Sequence, residues 1–259
     1  MDYPEFTFMR HAGQRHSGCG EEGILHWLFD ACHGERGVFV EFGAWDGIHL
    51  SNSRFFFERG WSGVFIEGDK KRFWQFSSNY REHPSVKTLC AFVEVEGHNS
   101  LDNLLARAEV TAVDLLSIDI DGIDLAIWKS LKTLRPRVVC IEYNVSIPFD
   151  TRYESTPHAR DRGRGNSALS TYDYAESHNY VLVGVTSNNL IFMDRKKRPD
   201  GIDVLDFSQC QECVRLFYPS VKTRVAFSNR GEMFFIEEDG TRHDGEIFYV
   251  PCAGFYATQ

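Results

Sequence analysis

Six carboxylates and two glycines are spaced for chemistry. Glu41 closes the apolar run VFVE, Gly43 and Gly47 follow directly, and a second apolar run, GVFIE, closes on Glu67 about twenty residues later. Farther along, VDLLSID ends in Asp119 with Asp121 and Asp124 behind it, and RVVCIEYN ends in Glu142 and Asn144. A carboxylate accepts hydrogen bonds from an ammonium group or from a sugar diol. Glycine lets the backbone approach a ligand, and the start of a following helix favours negative charge. Together they suit a nucleotide-like cofactor, with acids left over for proton transfer. The turn Glu41-Phe-Gly43-Ala-Trp45-Asp46-Gly47 is not GxGxxG, which disfavours a nicotinamide dehydrogenase.

These groups need a sheet to hold them. A helix is expected from Glu21, where Ile24, Leu28 and Ala31 recur at helical spacing before Gly34. Between the apolar runs, helices are expected over Arg72 to Tyr80, after a cap at Ser100, over Asp124 to Leu134, and from Ser167 to His178. Ser85 to Val93 reads as a third strand, Tyr180 to Val185 and Leu190 to Asp194 as a terminal antiparallel pair. Strands alternating with helices predict a mainly parallel sheet covered on both faces, with its site at the carboxyl ends of the strands. If the fourth strand continues through Asp119 and Asp121, those two acids alternate in direction and only one faces the site.

Pro148 to Asn166 is polar and carries Arg152, Arg160, Arg162, Arg164 and His158; at that length it reads as a lid. His158 is a candidate base, because imidazole titrates near neutrality. The arginines suit an anionic acceptor. The basic run Arg195 to Arg198 marks a boundary, so the expected organisation is an N-terminal segment and helix (1–36), a cofactor-binding domain (37–198) and a β-rich extension (199–259) with a hairpin over Gly231 to Val250. Cys210 and Cys213 form a lone CxxC, short of the four ligands of structural zinc unless His243 and Cys252 complete it.

A net charge of −9 argues against a nucleic-acid binder. The start, MDYPEFTFMRHAGQ, has no signal-peptide pattern, and no apolar run reaches the ~18 residues of a membrane span, so a cytoplasmic protein is expected. The seven cysteines read as reduced. A homo-oligomer is compatible with all of this.

Taken in order, Gly20-Glu21-Glu22-Gly23-Ile24, VEFGAWDGIHLSNS, GWSGVFIEGD, SLDNLL, LLSIDIDGIDLAIWKSL, RVVCIEYN, Ser167-Ala168-Leu169 and Tyr180 to Phe192 resemble the FkbM-like family of S-adenosylmethionine-dependent methyltransferases. The resemblance spans about Ser17 to Asp194. Gly18 departs from the glutamine usual beside that serine, and Trp45 stands where many other methyltransferases have glycine.

What the resemblance implies is a class I methyltransferase: a Rossmann-like α/β fold with a mainly parallel seven-stranded sheet and helices on both faces. It places Glu41, Gly43, Ala44 and Gly47 around the methionine part of S-adenosylmethionine, Glu67 at the ribose, and Phe92 and Val93 at the adenine. It implies O-methylation of a hydroxyl on a sugar, glycan or glycosylated natural product. Asp119 is then a cofactor residue, and Asp119, Asp121 and His158 are the candidate catalytic groups. Asp119 with Glu142 and Asn144 is similar to the divalent-cation site of catechol-type O-methyltransferases and suits Mg2+. The competing expectation is a non-catalytic methyltransferase-like module in a biosynthetic assembly.

Overall fold

The computed structural model describes residues 6–32, 36–157, 164–217, 224–227, 233–236 and 242–244. Its main element is a seven-stranded sheet of β1 (Val38–Phe42), β2 (Ser62–Glu67), β3 (Val86–Cys90), β4 (Leu115–Ile118), β5 (Val138–Glu142), β6 (Tyr180–Val185) and β7 (Asn189–Asp194). The order is β3-β2-β1-β4-β5-β7-β6. Strands β1 to β5 pair parallel, and β7 runs antiparallel to both neighbours.

The sequence dictates this arrangement. Successive strand residues point to opposite faces, yet nearly every residue of β1, β2, β4 and β5 is buried, so both faces are covered. The connections between parallel strands carry the helices α1 (Glu21–Ala31, before β1), α2 (Arg54–Glu58), α3 (Lys70–Tyr80), α4 (Leu101–Arg107), α5 (Asp124–Ser130) and α6 (Ala168–Ser177). Only three residues, Thr186 to Asn188, separate β6 from β7, and so short a link forces an antiparallel pair. The strand order, with reversed β7 inserted between β5 and β6, is that of the Rossmann-like class I methyltransferase fold expected from the sequence.

Aromatic side chains lock the helices to the sheet. Phe65 meets Phe76 and Tyr80 of α3 at centroid distances of 5.6 and 4.9 Å. Trp128 of α5 meets Tyr174 of α6 and Tyr180 of β6 at 5.1 and 5.3 Å. Such pairs add ~0.5–1.5 kcal/mol each beyond burial.

Past β7, helix α7 (Phe207–Phe217) brings Cys210 and Cys213 into the same core as the sheet, beside Ile202 and Leu205. The Leu205 amide donates to the Leu182 carbonyl on β6. The β-rich expectation for 199–259 therefore omitted a helix. Its β part is β8 (Arg224–Phe227), β9 (Met233–Ile236) and β10 (Arg242–Asp244), a three-stranded antiparallel sheet. The hairpin partner of EMFFIEE is thus Arg242–Asp244, while GEIFYV lies outside the described residues.

Cys19 is disulfide-bonded, which corrects the reading of all seven cysteines as reduced; it stands in the irregular segment before α1, not in a core strand or helix. Cys32, Cys90, Cys140, Cys210 and Cys213 are free. Burial pushes both thiols of the CxxC up, Cys213 to about 12, the opposite of the thiolate that a metal or redox site uses. Among the described residues no helix is long and apolar enough to cross a membrane.

Candidate functional site

The direction of chain growth reverses between β1 and β4, and open α/β sheets bind ligands at that crevice, beyond the carboxyl ends of the strands. The turn after β1 holds it open. Gly43 has φ +80°, and a Cβ there would overlap the Asp119 carbonyl oxygen, so only glycine lets the β1 and β4 turns touch. Gly47 has φ +69° and packs against Phe76 and Tyr80, whose hydroxyl donates to the Gly47 carbonyl. Ala44 is buried, its amide donating to the Ile66 carbonyl of β2. Trp45 follows at φ +46° with its indole half exposed and the Arg72 guanidinium 5.5 Å from its centroid.

The two acids that end β1 and β2 work on backbone amides. Glu41 is buried; one carboxylate oxygen accepts from the Ser51 hydroxyl at 3.0 Å and the Ser53 amide at 2.8 Å. Burial raises its pKa to about 7, with the bonds from Ser53 and Ser51 opposing. Glu67 accepts from the Trp45 amide at 2.9 Å through one oxygen and from the Asp69 amide at 2.7 Å through the other. Each oxygen keeps a further lone pair. Beyond β3, Phe92 is 71% exposed and lies against Gly68, while Val93 packs on the core.

At β4 and β5 three carboxylates converge. Ligand atoms of Asp119, Asp121 and Glu142 lie within 4.8 Å of one another. The alternation expected of Asp119 and Asp121 does not apply, because β4 ends at Ile118 and Asp121 turns back at φ +55°. Asp124, fully buried, holds that turn: its two oxygens accept from the Ile120 amide at 2.8 Å and the Gly122 amide at 2.9 Å. Burial, then the field of neighbouring acids, pushes the Asp119 and Glu142 carboxyls up, and the two share a hydrogen bond. Asp121 is also raised by burial, with Arg72 opposing. Such a cluster favours a bound cation or a retained proton.

Asn144 faces the other way. Its amide nitrogen donates to the Arg164 carbonyl at 2.7 Å and its oxygen accepts from the Ser146 amide at 2.9 Å. The carboxylate trio therefore contains Asp121 where the sequence expectation had Asn144. His158, Arg160 and Arg162 lie outside the described residues. Arg152 pairs with Asp173 at 2.7 Å. A cavity of about 450 Å³ lies apart from the acids, between α5, α6 and residues 152–154, crossed by that ion pair and by Lys129–Glu154.

Sequence reasoning missed Ser51, Ser53 and Asp124 as holders of the site loops. Asp124 stood at a helix start, where a side-chain cap is the ordinary expectation.

Neither a protein-family model nor a curated protein sequence matches the chain. Solved structures with a similar course of the chain include the N-terminal domain of EvdMO1 with SAH bound, 14% identical, TM-score 0.44, covering 68% of this chain and 80% of that one. Magnesium protoporphyrin IX methyltransferase (ChlM) from Synechocystis PCC 6803 with bound SAM is 10% identical, TM-score 0.44, over 67% and 77% of the two chains. TrmK from M. capricolum in complex with S-adenosylhomocysteine is 13% identical, TM-score 0.39, over 70% and 73%.

Proposed function

We propose that this chain is an S-adenosylmethionine-dependent O-methyltransferase acting on a hydroxyl of a sugar, glycan or glycosylated natural product, in the manner of the FkbM-like family. The observation that carries the reading is the meeting of the Gly43 turn with Asp119, which sets the carboxylates of Asp119, Asp121 and Glu142 beside the β1 turn.

The residues present fit the cofactor. Glu67 retains lone pairs for a ribose diol, the Gly43-to-Gly47 turn would face the methionine part, and Phe92 offers an exposed ring for the adenine. S-adenosylmethionine supplies, when bound, an electrophilic methyl group on a sulfonium. The chain's own task is then alignment and proton removal. Buried acids around the cleft favour a positively charged occupant. On this reading Asp121 accepts the proton of an acceptor hydroxyl and Asp119 orients that hydroxyl; desolvation raises the Asp121 carboxyl above its ordinary value, with the Arg72 charge opposing. His158 remains a second candidate base. Asp119, Asp121 and Glu142 also offer the hard oxygen donors that Mg2+ takes, and a divalent ion there would acidify the hydroxyl. On this reading the acceptor is anionic, which the arginine-rich composition of the 148–166 stretch suits.

Calorimetry tests the cofactor. Micromolar binding of S-adenosylmethionine that weakens on Glu67→Ala supports the reading, and no binding sinks it. Binding without transfer of tritiated methyl to any of a panel of glycosides and nucleotide sugars favours the non-catalytic module. Transfer unaffected by EDTA and by Glu142→Gln removes the metal.

A further inference from the structure

Asn166 is fully buried, although it is polar and lies outside any helix or strand. Its side-chain oxygen accepts from the Ser155 amide at 3.0 Å, and its side-chain nitrogen donates to the Gly122 carbonyl at 3.2 Å. Its own carbonyl accepts from the Asn144 amide at 2.9 Å. One residue therefore joins the turn after β4, the segment after β5 and the stretch that leads into α6.

Two further observations give this junction its meaning. Gly122 is gripped from both sides, its amide by Asp124 and its carbonyl by Asn166. Between Ile120 and Gly122, Asp121 sits in the left-handed region at φ +55°, which disfavours a non-glycine residue by ~1 kcal/mol or more unless its surroundings hold it. The stretch on the far side of Asn166 is itself stitched. The Ser155 hydroxyl donates to the Gly165 carbonyl at 2.6 Å, and the Asn144 side chain donates to the Arg164 carbonyl at 2.7 Å. The Tyr153 amide donates to the Ser167 hydroxyl at 2.9 Å, and the Ser167 amide returns a bond to the Tyr153 carbonyl.

We infer that Asn166 is a positioning residue for the acceptor side: by holding Gly122 and Ser155 on one amide group, it makes the turn of Asp119 to Gly122 and the 153–155 segment shift as one body. An acceptor lodged against that segment is thereby registered against Asp119 and Asp121. The catalytic consequence rests on the proposed methyl transfer; the coupling of the two segments does not.

Asn166→Asp separates the links, because it keeps the oxygen that Ser155 uses and removes the donor to Gly122. Hydrogen exchange read by mass spectrometry on the full chain should show ~tenfold faster exchange across 119–124, the effect of losing one hydrogen bond to a buried carbonyl, with 153–156 changed less because its bond to residue 166 is kept. Ser167→Ala is the complement: it removes the acceptor of the Tyr153 amide and keeps both Asn166 links, so 119–124 should loosen along with 153–156, and loosening confined to 153–156 overturns the coupling. Unchanged exchange at 119–124 in Asn166→Asp overturns the inference. The wild type alone gives a second test: under rising urea the two segments should open in a single step, and separate openings overturn the coupling. In the tritium assay, with enzyme concentration set by the S-adenosylmethionine-binding stoichiometry so that unfolded molecules are not counted, Asn166→Asp should lower kcat ~tenfold with KM for S-adenosylmethionine within twofold; an unchanged kcat overturns the positioning role. Failure of the wild type to bind S-adenosylmethionine would instead sink the methyltransferase reading while leaving the exchange result standing.

Discussion

Glu67 at the end of β2 accepts the Trp45 amide of the turn after β1 at 2.9 Å, so the second strand fixes the shape of the first strand's loop. The same carboxylate holds the Asp69 amide at 2.7 Å, and Asp69 in turn caps α3 through the Arg72 amide. An acid commonly read as a ligand group thus organises two loops and the start of a helix before any ligand arrives.

Glu67→Ala should lower stability by about 2–4 kcal/mol, since two amides lose a charged acceptor. Glu67→Gln should be milder, because its oxygen still serves one amide. On the proposed function both weaken S-adenosylmethionine tenfold or more. Urea unfolding and calorimetry measure the two effects separately.

Two glycines at positive φ make a matched pair. Gly43→Ala meets the Asp119 carbonyl as well as an unfavourable φ of +80°, whereas Gly97, at φ +88°, has nothing within 4 Å of a new Cβ. Gly97→Ala should therefore destabilise by only ~1–2 kcal/mol. Gly43→Ala should exceed it by several kcal/mol or prevent folding, as thermal melting of the two variants would show.

Stability of the ligand-free protein should fall as pH rises from about 4 to 7. Burial raises the carboxyl of Glu41 to about 7 and that of Asp124 to about 6, so each group favours the folded state fully below its unfolded pKa and loses that contribution as pH rises through the folded value. For Glu41 alone the effect is on the order of 3 kcal/mol. Glu41→Gln should flatten the urea midpoint across this range, and a midpoint as steep as that of the wild type would count against it.

The opposite sign applies to Asp194, which is buried against the Arg135 guanidinium at 2.8 and 3.2 Å; burial raises its carboxyl, and the bonds from Arg135 and the Lys196 amide with the charges of Arg135 and Lys197 together outweigh this to hold it below the usual range. Its contribution is present above the unfolded pKa and lost as pH falls through the folded one. Arg135→Ala should destabilise by ~3 kcal/mol by leaving that carboxylate without its partner. Differential scanning calorimetry at neutral and acid pH would show the variant's deficit shrink on acidification.

The sheet was legible because parallel strands buried on both faces read as short apolar runs, and each run that borders the site ends in an acid. The convergence of Asp119 with Asp121 was not, because period-two alternation holds only while the strand lasts and β4 stops at Ile118. Asn166 left no local signal; its partners lie 11 and 44 residues away. Helix α7 did leave one, in the spacing of Phe207, Cys210, Val214 and Phe217, but the β-prone runs over Gly231 to Val250 drew the reading of 199–259 toward a β-rich extension.

The Leu205 amide on the Leu182 carbonyl closes part of an open strand edge. Strand β6 is the last in the sheet, and unpaired edges recruit other chains. With Ile202, Cys210 and Cys213 packed into the core beside it, the stretch after β7 is a guard against self-association. A chain cut after Arg198 would keep every acid of the cleft and still tend to clump.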